Sequence, residues 1–120
     1  MKTAIILGAT GLTGGILLNQ LLEDNRYQKI KLFSRTRIGI SHPKIKEYIV
    51  DLLCLEESKE LFVADEVFCC IGTTNAKTPD KSLYHKIDYG IPVTAAKLCS
   101  QNNIDTLIIV SALGADPKSY

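Results

Sequence analysis

The sequence predicts an α/β domain built on a doubly wound parallel sheet of about five strands, in the order 3-2-1-4-5. Three observations predict it. Strand-like apolar runs alternate with segments of helical period, a glycine-rich segment joins the first strand to the first helix, and no linker or repeat interrupts the alternation. Such alternation implies parallel strands joined by right-handed crossovers. The 120 residues fit one domain, which spans residues 1–120.

The first half of the chain contributes three strands and one long helix. Residues 3–7 form a continuous apolar run, as expected for a strand that is covered on both faces. Leucines then recur at helical spacing over residues 16–22, and Glu23, Asp24 and Asn25 close that helix. Residues 29–34 predict the second strand, and residues 46–50 predict a short third strand that ends at Asp51.

The second half continues the same alternation. We expect a short helix over residues 56–62 and a fourth strand over residues 66–71. Residues 82–87 and 91–101 have a helical pattern, and the sequence Gly90-Ile91-Pro92 marks a helix start or a kink between them. Residues 105–110 predict a fifth strand, which ends at Ser111.

Composition and charge exclude several classes of protein. Hydrophobic residues make up 46% of the chain and the formal net charge is +1, which excludes a disordered chain. The longest apolar runs are far shorter than the ~20 residues that a membrane-spanning helix needs. The first residues lead directly into a strand without a small-residue cleavage site, so we expect no signal peptide.

The charged residues fall into a basic block and an acidic block, and neither is a continuous run. A nucleic-acid-binding tail is therefore excluded, whereas a local anion site stays open. The basic block comprises Arg26, Lys29, Lys31, Arg35, Arg37, Lys44 and Lys46. The acidic block comprises Glu47, Asp51, Glu56, Glu57, Glu60, Asp65 and Glu66, opposed by Lys59.

The cysteines predict neither a metal site nor a disulfide framework. The four cysteines show no Cys-x-x-Cys spacing, and two histidines are too few to complete a zinc pattern. Cys69 and Cys70 are adjacent and would point to opposite faces of a strand. We interpret all four as buried, reduced thiols of a cytoplasmic protein.

The glycine-rich segment predicts a dinucleotide-binding turn. Gly8, Gly11 and Gly14 follow the spacing Gly-x-x-Gly-x-x-Gly between a strand and a helix. In this interpretation Gly8 permits the tight turn, Gly11 lets the backbone approach a pyrophosphate, and Gly14 packs the helix on the sheet. Amide groups at the helix start bind the anion, and the hydroxyls of Thr10 and Thr13 add donors. The alternative is a glycine turn that only joins two elements, and a Walker-type loop is excluded because no Gly-Lys-Ser/Thr follows.

The end of the second strand favours NADP(H) over NAD(H). An acidic residue there would hold the ribose 2′-hydroxyl of NAD, whereas arginine accommodates the 2′-phosphate of NADP. Here Ser34 is followed by Arg35, Thr36 and Arg37, without an acid. Arg35 offers a bidentate fork to a phosphate, Ser34 a hydroxyl and Arg37 a second charge, and the basic block centres on this strand end. The alternative is that these arginines are solvated surface cations.

Three segments resemble the atypical and extended short-chain dehydrogenase/reductases, which bind NAD(P) on a Rossmann fold. Residues 8–14 resemble their cofactor loop. Residues 69–74, with the sequence CCIGTT, and residues 110–116, with the sequence VSALGAD, resemble the branch that contains the HIV Tat-interacting protein-like oxidoreductases. The three segments occur in the family's order and extend over nearly the whole chain.

The resemblance implies a role for each matching residue. The pyrophosphate would lie against Gly8, Thr10, Gly11, Leu12, Thr13 and Gly14, and the adenosine phosphate against Ser34 and Arg35. Asp51 and Leu52 would flank the adenine, although Asp51 equally fits a turn-stabilising role. Cys70, Ile71, Gly72 and Thr73 would line the groove beneath the ribose and nicotinamide. Ser111 would be the family's substrate-orienting serine, or alternatively a turn cap.

The family's catalytic Tyr-x-x-x-Lys pair does not follow Ser111. In the family the lysine and the cofactor ribose lower the pKa of the tyrosine, which passes a proton while hydride moves. The string occurs once, at Tyr27 and Lys31, where it falls in the predicted second strand and is interpreted as coincidence. Tyr120 ends the chain, and the resemblance suggests that the family tyrosine would fall a few positions beyond it.

The chain therefore resembles the cofactor-binding part of an NADP(H)-dependent oxidoreductase that acts on a small carbonyl or alcohol substrate, with the C-terminal half absent. The alternatives are a non-catalytic dinucleotide-sensing protein and a nucleoside-diphosphate-sugar epimerase-like protein, and Arg35 argues against the epimerase. The fifth strand would be an exposed edge, through which two copies could associate. A chain cut short is favoured over a naturally truncated protein and over a half-domain completed by association.

Overall fold

Five parallel strands form one sheet in the order β3-β2-β1-β4-β5, which confirms the predicted order. The computed structural model describes residues 1–71 and 80–110, apart from the side chains of Tyr84 and Asp88. The strands are β1 (Lys2–Leu7), β2 (Tyr27–Ser34), β3 (Ile45–Ile49), β4 (Glu66–Cys69) and β5 (Thr106–Ile109). Leu7 lies beside Phe33 of β2 and Cys69 of β4, so the carboxyl ends of these strands meet at one edge.

The helices occupy the crossovers between the strands. They are α1 (Leu12–Glu23), α2 (Lys81–His85), a π-helical turn (Lys86–Gly90) and α3 (Ile91–Gln101). Helix α1 begins at Leu12, four residues before the apolar repeat that starts at Ile16, because its first turn consists of Leu12, Thr13 and two glycines and carries no apolar period. Gly90 and Pro92 mark a change from π- to α-helical geometry, so the kink interpretation is closer than a fresh helix start.

The predicted short helix after β3 is a 3-10 segment that begins earlier, over Leu52–Ser58. Asp51 caps it, because its side chain accepts a hydrogen bond from the amide of Leu53 at 2.9 Å. The sequence predicts this helix at residues 56–62 instead, because the prediction uses the spacing of apolar residues. An Asx cap of this kind acts through a hydrogen bond, which that spacing does not reveal.

Two apolar clusters cover the two faces of the sheet, as a doubly wound fold requires. Ile5 and Leu7 of β1 belong to a cluster with α3, while Ala4 and Ile6 belong to a cluster with α1. Cys69 packs in the first cluster and Cys70 against the second, which confirms that the two side chains point to opposite faces.

The four cysteines are free thiols, but their burial differs from the prediction. Cys69 and Cys99 are buried, whereas Cys54 and Cys70 are only partly buried, so the expectation of four buried thiols is wrong for the latter two. Burial still raises the pKa of Cys70 to about 11, which keeps this thiol neutral near pH 7. Within the described ranges, no group of three or more His, Cys, Asp or Glu side chains could hold a metal ion.

β5 lies at one edge of the sheet, as expected from its position in the order. Ile108 and Ile109 at its carboxyl end are 42% and 54% exposed. Among residues 1–71 and 80–110, no helix has the length and apolar character needed to cross a membrane.

Polar side chains from three segments meet at the amino edge of the sheet. The buried Tyr27 donates its hydroxyl hydrogen to Glu66, which also pairs with Lys2 at 3.0 Å. Burial, followed by the hydrogen bond to Glu66, raises the pKa of Tyr27 to about 12. The same hydrogen bond lowers the pKa of Glu66. This network ties β1, β2 and β4 together opposite the glycine turn.

The raised pKa of Tyr27 predicts a loss of stability in alkaline solution. Its ordinary value is 10.0, so between pH 10 and 12 the unfolded chain loses the phenol proton while the folded chain keeps it. The contribution is fully present below pH 10 and is lost as the pH rises toward 12. Tyr27→Phe should lower the free energy of unfolding by about 1–2 kcal/mol at neutral pH. In urea titrations, the difference from wild type should shrink above pH 10, and a difference independent of pH would contradict this assignment.

Candidate functional site

A cleft of about 900 Å³ opens at the carboxyl ends of the first four strands. It lies where the chain leaves β1 toward β2 and later returns to β4, which is the switch point at which doubly wound sheets bind ligands. Its lining comprises Gly8, Thr10, Gly11, Ser34, Arg35, Thr36, Ile49, Val50, Asp51, Leu52, Leu53, Cys70, Ile71, Leu83, Ile87 and Ile91.

The cleft brings together most of the residues that the sequence predicts for a site. Those on its wall are Gly8, Thr10, Gly11, Ser34, Arg35, Asp51, Leu52, Cys70 and Ile71. Leu12 and Arg37 instead line an adjoining groove of about 480 Å³, which shares Thr10, Gly11 and Thr36 with the cleft. Thr13 and Gly14 line neither cavity. Gly72, Thr73 and Ser111 lie outside the described residues.

Gly8 makes the turn out of β1 with a φ of +89°, which favours glycine. A Cβ at this position would lie 2.9 Å from the carbonyl oxygen of Cys70 and 2.8 Å from Cδ1 of Ile71. The turn therefore brings β1 and the end of β4 close together, and a side chain at residue 8 would separate them.

Gly14 and Gly11 differ sharply in their surroundings. A Cβ on Gly14 would lie 2.1 Å from the carbonyl oxygen of Gly8. In the described part of the chain, a Cβ on Gly11 would meet nothing closer than that same oxygen, at 3.5 Å. Gly11 has φ −82° and ψ 171°, a conformation open to any residue. Gly14 is thus explained by packing within the protein, whereas no contact among the described residues requires a glycine at position 11.

Helix α1 begins at the cleft without a side-chain cap. Gly11 is its N-cap residue, and its first turn contains no acidic side chain. The amides of Gly11 and Gly15 donate to the carbonyls of Gly8 and Gly11. The amides of the intervening residues have no acceptor within the helix, as in every helix start. These donors and the positive end of the helix dipole favour an anion at Gly11.

The turn after β2 presents Arg35 to the cleft. Ser34 is 1% exposed, and its hydroxyl donates to the carbonyl oxygen of Thr36 at 2.8 Å. Its only hydroxyl hydrogen is therefore used within the turn, and Ser34 shapes the turn in this structure. Arg35 is exposed on the cleft wall, and Arg37 is exposed in the groove. Neither forms a salt bridge within residues 1–71 and 80–110.

The rest of the basic block does not gather at this strand end, so the expectation that the block centres there is wrong. Arg26 forms a salt bridge with Asp24 at 2.7 Å. Lys31 donates to the carbonyls of residues 61 and 63, and Lys44 to those of residues 22 and 24. These cations are used by neighbouring backbone and acidic groups, and Arg35 is the basic residue on the cleft wall among the described residues.

Asp51 has a structural contact in addition to its place on the cleft wall. One carboxylate oxygen accepts the amide hydrogen of Leu53, and the other lies 3.9 Å from the thiol of Cys54. The charge of Asp51 is the main cause of the raised pKa of Cys54. The turn-stabilising interpretation of Asp51 is thus observed, and its second oxygen still has lone pairs for a ligand.

Sequence reasoning missed the apolar wall of the cleft. Leu83, Ile87 and Ile91 from the helices after β4 face the strand ends, together with Ile49 and Val50 at the end of β3. The spacing of four residues between the first three is a signal that could have found them, because such residues share one helical face. The wall offers an apolar surface to a flat ring or ribose.

Tyr27 and Lys31 do not form part of this site. Both lie in β2, and Tyr27 is at its amino end, at the opposite edge of the sheet from the cleft. Its hydroxyl binds Glu66, and Lys31 binds backbone carbonyls. The interpretation of this Tyr-x-x-x-Lys string as coincidence agrees with these contacts.

Several curated proteins are similar to this chain over nearly all of its length. Protein HTATIP2 of Rattus norvegicus is 30% identical over 122 residues, covering 98% of this chain and 50% of the relative. FMP52-1 of Scheffersomyces stipitis and FMP52 of Debaryomyces hansenii are 31% and 32% identical, each over 98% of this chain and 53% of the relative. The chain thus spans about half the length of these relatives. No family model matches it.

The relatives also correct one prediction. FMP52-1 of S. stipitis and FMP52 of D. hansenii and Candida glabrata are named as mitochondrial proteins. The expectation of a cytoplasmic protein is therefore wrong as an inference from this sequence. Unpaired cysteines do not distinguish the cytoplasm from other reducing compartments.

Solved structures share the fold at low sequence identity. A mutant of uronate dehydrogenase from Agrobacterium tumefaciens in complex with NAD matches with a TM-score of 0.77 and 12% identity, over 93% of this chain and 41% of that one. WbmG from Bordetella bronchiseptica in complex with NAD matches with a TM-score of 0.77 and 14% identity, over 90% and 36%.

UDP-glucose 4-epimerase from Thermotoga maritima matches with a TM-score of 0.78 and 13% identity, over 94% of this chain and 38% of that one. The parallel sheet is thus a Rossmann fold of the kind found in NAD-dependent dehydrogenases and sugar epimerases. The similarity to HTATIP2 and FMP52 over 98% of this chain confirms the resemblance predicted from the three sequence segments, and the chain is homologous to those two proteins.

Proposed function

We propose that the cleft binds NADP(H) in preference to NAD(H), as the cofactor-binding part of an oxidoreductase acting on a small carbonyl or alcohol substrate. The observation that carries the proposal is the arrangement around Gly11. A glycine that no contact with residues 1–71 or 80–110 requires stands at an uncapped helix start, and Arg35 lines the same cleft. This is a combination of backbone donors, open space and positive charge that suits a phosphorylated dinucleotide.

The turn around Gly8 and Gly11 supplies the pyrophosphate half of the proposed site. The amides of Leu12, Thr13 and Gly14 are the donors of the first turn of α1, and the Thr10 side chain lies on the cleft wall. The absence of a Cβ at Gly11 leaves the space into which a phosphate oxygen would enter. The fit of the residues present to a dinucleotide rests on these groups and not on the glycine spacing alone.

The end of β2 supplies the preference for a 2′-phosphate. Arg35 is exposed on the cleft wall, and no acidic side chain among residues 34–37 could accept a ribose 2′-hydroxyl. A guanidinium binds phosphate in a bidentate, charge-assisted manner. Ser34 contributes by holding Thr36 through its hydroxyl, and Arg37 adds charge from the adjoining groove.

The proposed hydride-transfer reaction is a property of the whole protein and not of its cofactor-binding part alone. When bound, the nicotinamide supplies or accepts a hydride. Residues 1–110 would hold the cofactor, with Asp51 and Leu52 at the adenine and Cys70 and Ile71 beneath the ribose and nicotinamide. By its resemblance to the family motif Ser111 would orient the substrate, with Gly72 and Thr73 beside the nicotinamide.

NAD(H) bound in an epimerase-like protein is the second candidate. Solved structures with this fold include complexes with NAD, among them WbmG and the uronate dehydrogenase mutant. An NAD-binding site usually carries an acidic residue at the end of β2, and this chain has Arg35 there. Cofactor preference therefore separates the two candidates, while a dinucleotide-sensing protein would share the preference and lack the reaction.

Calorimetric titration with NADPH and NADH tests the proposal. We expect the wild-type chain to bind NADPH about tenfold or more tightly than NADH, since one charge-assisted contact contributes roughly 1.5–3 kcal/mol. Arg35→Ala should weaken NADPH binding by about tenfold and change NADH binding by less than about twofold. Lys29→Ala is the control, because it removes the same charge from an exposed position of β2 that does not line the cleft.

Equal affinities for the two cofactors, or tighter binding of NADH, would overturn the proposed preference and favour the second candidate. A parallel loss of NADH affinity in Arg35→Ala would show that Arg35 serves the shared part of the dinucleotide. Binding of neither cofactor would overturn the assignment of the cleft.

A further inference from the structure

We propose that Glu47 of β3 is a positioning residue for the two arginines that follow β2. Its carboxylate oxygen Oε2 accepts the amide hydrogen of Ile38 at 3.2 Å. This contact holds the turn of residues 34–38 against the sheet, and so fixes the directions in which Arg35 and Arg37 leave it. The inference rests on the proposed NADP(H) preference and assigns part of that preference to an acid that touches no cofactor.

Glu47 lies in β3, the strand that pairs with β2. It pairs with Leu32 in the register of β2 and β3, and its side chain is half-buried. A carboxylate in this position reaches a backbone amide nine residues earlier in the chain. Hydrogen bonds to a charged acceptor are stronger than those between neutral groups, so this contact restrains the turn more than an amide–carbonyl pair would.

In the turn, residues that form hydrogen bonds alternate with exposed residues. Ser34 is buried and donates to the carbonyl of Thr36, while Ile38 donates to Glu47. Between them, Arg35 and Arg37 are exposed. Arg35 lines the cleft, Arg37 lines the groove, and Thr36 lines both. The two fixed points therefore set one arginine on each side of Thr36.

Position matters because a guanidinium must be ordered before it can bind a phosphate with both nitrogens. A loosely held turn would lose backbone entropy on binding in addition to that of the arginine side chain, and this loss weakens affinity. Gly39 follows the turn with a φ of +78°. A Cβ built there would meet none of the described residues outside its chain neighbours within 4 Å, so Gly39 adds no packing restraint of its own in that part of the chain. Before this point, Ile38 is held by the hydrogen bond from its amide to Glu47 and by packing of its side chain against the apolar cluster that contains Ala4 and Ile6.

The charge of Glu47 acts in the opposite direction. A carboxylate near the two arginines opposes a bound phosphate, so a purely electrostatic role predicts tighter NADPH binding when the charge is removed. A positioning role predicts the reverse for Glu47→Ala. Glu47→Gln separates the two effects, because its amide oxygen can still accept from Ile38 while its charge is gone.

The test combines cofactor titration with amide hydrogen exchange of the chain without cofactor. We expect Glu47→Ala to weaken NADPH binding by about five- to tenfold, to leave NADH binding within about twofold, and to remove exchange protection of the Ile38 amide. Glu47→Gln should keep both the NADPH affinity and most of the protection. Glu60→Ala is the charge-matched control at an exposed site that lines neither cavity.

The outcomes separate this inference from the function on which it rests. A wild-type preference for NADPH that persists in Glu47→Ala, or an Ile38 amide that stays equally protected there, would overturn the role of Glu47 alone. Tighter NADPH binding by Glu47→Gln would replace positioning with charge repulsion and also overturn it. Equal binding of NADPH and NADH by the wild type, with exchange protection lost in Glu47→Ala, would overturn the NADP(H) preference and confirm the tether.

Discussion

Gly14→Ala is expected to lower the free energy of unfolding by about 3 kcal/mol or more. A Cβ at this position would lie 2.1 Å from the carbonyl oxygen of Gly8, 2.8 Å from its carbonyl carbon and 3.0 Å from Cα of Ala9. All three atoms belong to the backbone, so no side-chain rotation relieves the overlap. Helix α1 would have to move away from the end of β1.

Gly15→Ala is the matched control for this prediction. It lies next in the same helix, and its added Cβ would meet the carbonyl oxygen of Ala9 at 3.5 Å, an ordinary contact. Alanine has the higher helix propensity, so this variant should be about 0.5–1 kcal/mol more stable than wild type. Urea unfolding followed by circular dichroism measures both. Equal midpoints for Gly14→Ala and wild type would mean that α1 is not held on the turn as described.

The sequence predicts the path of the chain well because the path depends on local signals. The apolar run before Gly8 and the leucines of α1 identify a strand and a helix, and chain order with right-handed crossovers then limits the sheet to few arrangements. The predicted order 3-2-1-4-5 is the one observed. The boundaries shift where a hydrogen bond decides them, as at Asp51, whose cap starts the 3-10 segment at Leu52, four residues before the predicted helix.

The residues of the candidate site can be predicted from the sequence where only one residue type satisfies the physical requirement at a position. Gly8 and Gly14 are explained by a positive φ and by close packing, and both can be expected from their spacing. The basic block shows the limit of this reasoning. Lys31 and Lys44 lie close to Arg35 in sequence, yet they bind backbone carbonyls elsewhere. The position of a charged residue in the sequence does not determine which acceptor its flexible side chain binds.

Contacts between distant residues account for what could not be predicted. Glu47 belongs to an acidic block in the sequence, and only the pairing of β2 with β3 brings its carboxylate under the amide of Ile38. The direction of the Ser34 hydroxyl toward Thr36 likewise depends on the conformation of the turn. Both contacts concern the same five residues, which makes the end of β2 the part of the site that most needs a structure.

Gly11→Ala is expected to weaken the binding of NADPH and NADH alike, by about 10- to 100-fold, while changing the free energy of unfolding by less than about 1 kcal/mol. Among the residues that the structure describes, the added Cβ meets nothing closer than the carbonyl oxygen of Gly8 at 3.5 Å. The backbone at residue 11 is extended, so folding should tolerate the change. The methyl group would instead fill the space at the start of α1 that a pyrophosphate would use. Titration and urea unfolding of the same sample measure the two effects separately.

The pattern of losses distinguishes the parts of the proposed site from one another. The pyrophosphate is common to both cofactors, so Gly11→Ala should reduce both affinities equally, whereas Arg35→Ala should reduce the affinity for NADPH and leave that for NADH. Gly14→Ala should act mainly on the free energy of unfolding, because the neighbours of its added Cβ are backbone atoms of the same chain. If Gly11→Ala retained full affinity for both cofactors, the glycine turn would only join β1 to α1, and the dinucleotide would have to bind without approaching the start of that helix.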